Sequence, residues 1–160
     1  MRRLIIGLFV GGALGSAAGF AVGILVFPYI FPAPPAMDAP VATGERVIAR
    51  GVFIHASPSD PIHYGKGKVT VRARVLRLEQ DFEVGPGPKF HVYLVPKGTI
   101  RKSADVKNTM YVDLGRLRAF KGAQNFRIPN GIDLSKYSSV VIWCEAFVVL
   151  ISPADLKFGS

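Results

Sequence analysis

From Leu4 to Phe27 the chain carries no charged residue. At about 1.5 Å rise per residue, a helix over this run spans roughly 36 Å, enough to cross a hydrocarbon core of about 30 Å. The pattern predicts one transmembrane helix over residues 1–27. Within it Gly7, Gly11, Gly15, Gly19 and Gly23 recur at spacing four. On a helix this is a stripe of small residues, the surface through which membrane helices approach one another closely, and a pairing partner for the helix is an expectation. The next stretch, PYIFPAPPAMDAPVATG at 28–44, is rich in proline and alanine and predicts a stiff extended spacer.

From Glu45 to the end the pattern changes to short apolar or alternating runs broken by glycine and proline. RVIARGVFI reads as a strand. KVTVRARV places Val69, Val71, Ala73 and Val75 on one face and Lys68, Thr70, Arg72 and Arg74 on the other. Leu76 and Leu78 then shift phase, which predicts a bulge near Val75. GPGP at 85–88 is a turn signal before the strand KFHVYLV, and Asn130–Gly131 is another turn signal. SVVIWCEAFVVLI, apolar on both faces, predicts one long strand deep in a core. Helical periodicity is absent after the spacer. The expected fold is all-β, an antiparallel two-sheet sandwich over residues 45–160, preceded by the N-terminal helix.

Charge fixes an orientation. Arg2 and Arg3 precede the apolar run, so the positive-inside tendency keeps the N-terminus cytoplasmic and the β-domain outside the inner membrane. A signal peptide cleaved near GSAAG at 15–19 is the competing reading; the continued apolar run FAVGILVF favours the uncleaved anchor. No cysteine lies near this segment, which excludes a lipoprotein anchor. The formal net charge of +9 favours anionic lipids, anionic envelope polymers or an acidic partner protein. An exported domain without a basic and aromatic platform does not point to nucleic acid.

The chain has one cysteine, Cys144, so an intramolecular disulfide is excluded. On a strand Cys144 shares a face with Ile142, Ala146 and Val148, while Trp143, Glu145 and Phe147 point the other way. A free thiol in an apolar run is commonly a buried small hydrophobe. Glu145, in the same run, calls for a partner, with arginine the default. His55, His63 and His91 show no zinc spacing, so no dedicated metal site is expected. His91 and Tyr93 alternate onto one face. No nucleophile elbow or phosphate-binding loop occurs, which disfavours a hydrolase and leaves open whether the protein is an enzyme.

The segments GVF at 51–53, HYGKG at 63–67, LRLEQDF at 76–82, GPKFHVYLV at 87–95, DLGRLRAFKGAQNFRIP at 113–129 and DLSKYSSVVIWCEAFVVLISPADL at 133–156 together resemble the DM-thirteen domain. This is an extracytoplasmic β-domain, often called an electron-transfer domain, that is found beside haem- and sugar-binding DOMON domains. The chain departs from the family pattern at Lys89, where an acidic residue is usual, and at Phe126, where tyrosine is common. The resemblance implies a redox role through Cys144, as a haem ligand or redox thiol, with a redox partner protein. His63 and His91 are then candidate cofactor-binding residues beside Cys144. The alternative is a non-enzymatic binding or envelope-interaction module, with Cys144 in the core and a basic face of Lys66, Lys68, Arg72 and Arg74 as its contact surface.

Overall fold

The computed structural model describes residues 1–41 and 44–159, and within its first helix the side chains of all residues but Leu25 and Tyr29. Ala42 and Thr43 of the expected spacer, and the final residue of the expected domain, lie outside the described residues. Two compact units result, divided at Ala33 and Pro34.

The first unit is helix α1, Arg2–Ile30. It is long and apolar enough to cross a membrane over Arg2–Pro28. It runs past the expected end at Phe27 and takes in Pro28. A proline so near the end is tolerated because few turns remain to be broken, and Phe31 N–H closes the last one on Phe27 O at 2.8 Å.

The second unit is built from short strands: β1 (Ala36–Met37), β2 (Val47–Phe53), β3 (Gly65–Arg72), β4 (Val75–Leu78), β5 (Glu83–Val84), β6 (Phe90–Val95), β7 (Val112–Arg116), β8 (Gly122–Arg127), β9 (Ser139–Cys144), β10 (Val149–Asp155) and β11 (Lys157–Phe158). A four-residue helix α2, Ala104–Lys107, lies between β6 and β7. The main path of the sheet runs β1-β8-β4-β3-β2-β10-β9-β6-β7, with β11 added to β2 and β5 to β3. Every pairing is antiparallel except that of β1 with β8.

The expected two-sheet sandwich is therefore corrected to one curled sheet, a half-barrel. The two halves are joined by hydrogen bonding where a sandwich would leave a gap. Ala154 of β10 pairs with Phe53 of β2, and Ile54 N–H donates to Pro153 O at 3.0 Å. Curling lets one sheet enclose its own core. Phe53, Val71 and Leu76 from one half and Val92, Ile142 and Ile151 from the other belong to a single buried cluster. A second, smaller cluster lies on the opposite face, where Ile100 and Val106 of the α2 segment cover Tyr93, Val141, Trp143 and Leu150. That cover is why β9 is apolar on both faces: a loop and a short helix bury its outer side, not a second sheet.

Two local expectations change. The phase shift near Val75 is a hairpin turn at Ala73–Arg74 rather than a bulge: β3 ends at Arg72, and β4 returns with Val69 opposite Leu78 and Val71 opposite Leu76. The long last strand is two strands. Cys144 pairs with Val149, and residues 145–148 form the turn between them. Val148 closes this turn at φ +54°, a conformation that β-branched residues rarely take. No glycine or proline marks it, so the sequence pattern ran straight through. Ala146 and Val148 consequently sit exposed in the turn instead of sharing the face of Ile142 and Cys144.

The spacer is also partly docked. Ala36 and Met37 pair with Gly122 and Ala123. Gly122 holds φ +88°, and a Cβ there would meet Ala36 O at 2.2 Å, so only glycine lets the strap lie this close. Asp38 then accepts from Asn125 N–H at 2.7 Å and from both terminal nitrogens of Arg118. Those bonds, the Arg118 guanidinium foremost, hold the Asp38 carboxyl below its ordinary range. The buried Arg77 donates to Ala39 O at 2.9 Å and to Asn125 Oδ1 at 2.8 Å, fixing the strap from below.

Candidate functional site

β6 and β9 lie side by side, and their register decides what meets what. Phe90, Val92 and Leu94 face the main core, so His91, Tyr93 and Val95 face outward. On β9 the inward residues are Val140, Ile142 and Cys144, and the outward ones Val141 and Trp143. Cys144 pairs with Phe90, and Trp143 pairs with His91. The thiol and the imidazole therefore lie on opposite faces of the sheet.

On the outer face four groups form a chain of two hydrogen-bonded pairs, His91–Asp113 and Tyr93–Glu145, joined by a charge contact between His91 and Glu145. His91 Nδ1 lies 2.9 Å from Asp113 Oδ2, and Nε2 lies 3.4 Å from Glu145 Oε2. Tyr93 O–H donates to Glu145 Oε1 at 3.1 Å. The four residues arrive from three places: His91 and Tyr93 from β6, Asp113 from β7, and Glu145 from the turn after β9. Glu145 N–H donates to Lys89 O at 3.1 Å, which anchors the turn beside β6. The expected arginine partner of Glu145 is replaced by His91 and Tyr93.

Aromatic rings surround the chain. Tyr93 stacks on Tyr111 with centroids 4.3 Å apart and planes within 7°. Its other neighbours are Trp143 at 6.3 Å and His91 at 6.3 Å. Tyr111 is 43% exposed, so the stack runs from the covered face out to solvent. Burial raises the Tyr93 phenol well above its ordinary pKa, and the Glu145 carboxylate beside it raises it further. Tyr93 thus stays protonated across the physiological range.

Cys144 is 1% exposed, packed in the main core, and its Sγ–H donates to Pro88 O at 3.2 Å. It lines none of the three cavities that open around Arg72, Phe90 and Arg46. An iron ligand must face a space large enough for the macrocycle, so these surroundings do not fit a haem. His63 lies in the loop before β3, with Nδ1 2.6 Å from Asp60 Oδ2. That bond draws the Asp60 carboxyl down to about 2. His55 Nε2 meets Asp60 O at 2.7 Å, so both histidines fasten this loop. No hydrogen bond or ion pair among the described residues links His63 to Cys144 or to His91. Of the three residues expected to share a site, only His91 takes part in the cluster.

Asp113, Tyr93 and Tyr111 were not singled out as site residues in the sequence; the shared face of His91 and Tyr93 was the available signal. His91, Asp113 and Glu145 bring ligand atoms within 4.8 Å of one another, close enough to consider an ion. The two carboxylates, however, sit against different nitrogens of one ring. A single ion takes one of those nitrogens, so the arrangement suits a proton chain better than a three-ligand metal centre.

The Electron transfer DM13 family model matches residues 59–156, from the loop before β3 to the end of β10. No curated protein and no solved structure matches the chain.

Proposed function

The chain belongs to the Electron transfer DM13 family, and from that premise we propose that it is a membrane-anchored electron-transfer domain in which Tyr93 is the redox-active group and Glu145 receives its proton. The observation that carries this reading is the Tyr93 O–H donating to Glu145 at 3.1 Å while its ring stacks on the half-exposed Tyr111. Oxidation of a phenol makes its proton strongly acidic. A tyrosine buried as a neutral phenol therefore gives up an electron readily only when a base within hydrogen-bond reach takes the proton. Glu145 is within that reach, and His91, held from behind by Asp113, lies ready to share the added charge.

The step balances as follows. A one-electron acceptor protein docked near Tyr111 takes one electron from Tyr93. The Tyr93 O–H bond breaks, an O–H bond forms on Glu145, and a neutral phenoxyl radical remains. A one-electron donor then returns the electron while the proton moves back. Helix α1 serves as the anchor, and Arg2 and Arg3 before it support an outward-facing domain. Cys144, enclosed and bonded to a backbone carbonyl, serves as a core residue in this reading.

The test is flash oxidation of the detergent-solubilised full chain by a photogenerated ruthenium(III) complex, read by electron paramagnetic resonance. The native chain gives a persistent tyrosyl signal. Tyr93→Phe abolishes it, and Glu145→Gln, which keeps an acceptor oxygen but takes no proton, lowers its yield at least tenfold. A signal of equal yield and lifetime in Tyr93→Phe sinks the proposal.

A further inference from the structure

Two parts of the outer face of the sheet are covered. The α2 segment lies over β6 and β9, and the strap at Asp38–Ala39 lies over Arg77 of β4. The outer face of β2 and β3 is different. There a cavity of about 890 Å³ opens, within the range of small-molecule sites.

The charges lining it are unevenly satisfied. Its acids are all engaged: Glu79 pairs with Arg77 at 3.2 Å, Asp155 with Arg101 at 2.7 Å, and Asp81 accepts from Lys68 N–H at 3.0 Å. Its cations Arg50, Lys68, Arg72 and Lys157 make no ion pair among the described residues. Arg72 goes further: its Nε and Nη1 are shut off from solvent and have no hydrogen-bond partner. A guanidinium with two nitrogens stripped of water and without an acceptor is costly, and negative charge brought into the cavity beside it offsets part of that cost. Between the cations the surface is apolar. Val52, opposite Lys68 in the ladder, is 56% exposed, and Ile54 beyond it is 37% exposed.

We propose that this cavity binds a phosphate monoester carried on an apolar body, the phosphate held by Arg72 with Arg50, Lys68 and Lys157, and the body lying on Val52 and Ile54. The planar guanidinium suits phosphate oxygens, and several unpaired cations suit a dianion. This inference is independent of the Tyr93 chemistry, since no residue is shared. It also redraws the basic face expected from sequence. Lys66 is paired with Glu83 at 3.1 Å and Arg74 donates to Asn130 at 2.8 Å, leaving Lys68 and Arg72 of that set in the cavity.

The test uses the full chain in phosphatidylcholine nanodiscs and follows binding of 1-naphthyl phosphate by calorimetry. Inorganic phosphate supplies charge without the apolar body, and 1-naphthol the body without the charge. The expected result is binding at least tenfold tighter than either control, weakening as salt rises. Arg72→Gln weakens it at least tenfold. The exposed pair Lys68→Gln/Lys157→Gln, which leaves the core untouched, does the same and guards against a folding defect at Arg72. Binding no tighter than inorganic phosphate, or unaltered in the double variant, overturns the proposal. Once binding is established, displacement by dihexanoyl phosphatidic acid assigns the site to a lipid, and failure to displace assigns it to a soluble ester.

Discussion

Cys144→Ala tests whether the thiol is packing or chemistry. Cys144 is 1% exposed, packs with Phe90 and Ile142, and donates to Pro88 O at 3.2 Å. Alanine removes one sulfur atom. The transfer loss for a group of that size is about 0.8 kcal/mol. A residual void of about 25 Å³ adds about 0.6 kcal/mol. Losing a weak bond to a backbone carbonyl adds about 0.5 kcal/mol. The sum is about 2 kcal/mol, which for a domain of this size lowers Tm by about 5–8 °C. The assay is thermal unfolding of the full chain in detergent, followed by the near-ultraviolet dichroism of Trp143. In parallel, an aromatic disulfide reagent titrates the native thiol. If labelling requires an opening of about 4 kcal/mol, it runs on the order of 10³-fold slower than in the unfolded chain. The Tyr93 radical survives the substitution. Rapid stoichiometric labelling of the folded protein refutes the reasoning, as does an unchanged Tm combined with loss of the radical.

Three further outcomes are expected. Gly122→Ala forces a Cβ into Ala36 O at a φ of +88° and releases the strap at a cost of about 2 kcal/mol; amide exchange at Ala36 and Asp38 rises at least tenfold while β9 stays protected, and unchanged protection at both amides rejects this. Val148→Gly relieves the φ of +54° and raises stability by about 0.5–1 kcal/mol, so a lower Tm argues against strain in the turn. Asp38, Glu83 and Asp155 are held below their ordinary values by Arg118, Lys121 and Arg101, and Asp105 is drawn to about 2 by Lys97. Folded-state values below unfolded ones mean stabilisation that is full above about pH 4.5 and is lost as pH falls toward 2, more shallowly in high salt. A urea midpoint that stays constant from pH 5 to 2.5 contradicts this.

Much of this architecture was legible in the sequence. The uncharged run before Phe27 is helix α1, and the family resemblance read from the quoted segments agrees with the matched family. Alternation in KFHVYLV put His91 and Tyr93 on one face, and the ladder places them there. What failed did so for local reasons. The turn at 145–148 uses Glu, Ala, Phe and Val, none of which announces a reversal. The strap at Ala36–Met37 looked like spacer because a two-residue strand has no period to detect. The sandwich expectation failed because strand patterns do not say whether two halves stay bonded at their shared edge.

By itself the sequence determined which strand residues share a side: Ile142 and Cys144 on one and Trp143 on the other, and Val69 and Val71 opposite Lys68, Thr70 and Arg72 of β3. Sidedness is encoded in a two-residue period and needs no partner to be read. Only the tertiary structure decided the company each side chain keeps. Asp113 meets His91 across 22 residues of sequence, and Glu145 meets Tyr93 across 52, because β6 is bonded between β7 and β9. Pairing of β11 with β2 likewise brings Lys157 to the cavity, and the ion pair with Asp155 brings Arg101 there. Register between distant strands is set by the closing of the whole sheet around its core, and no local pattern carries that information.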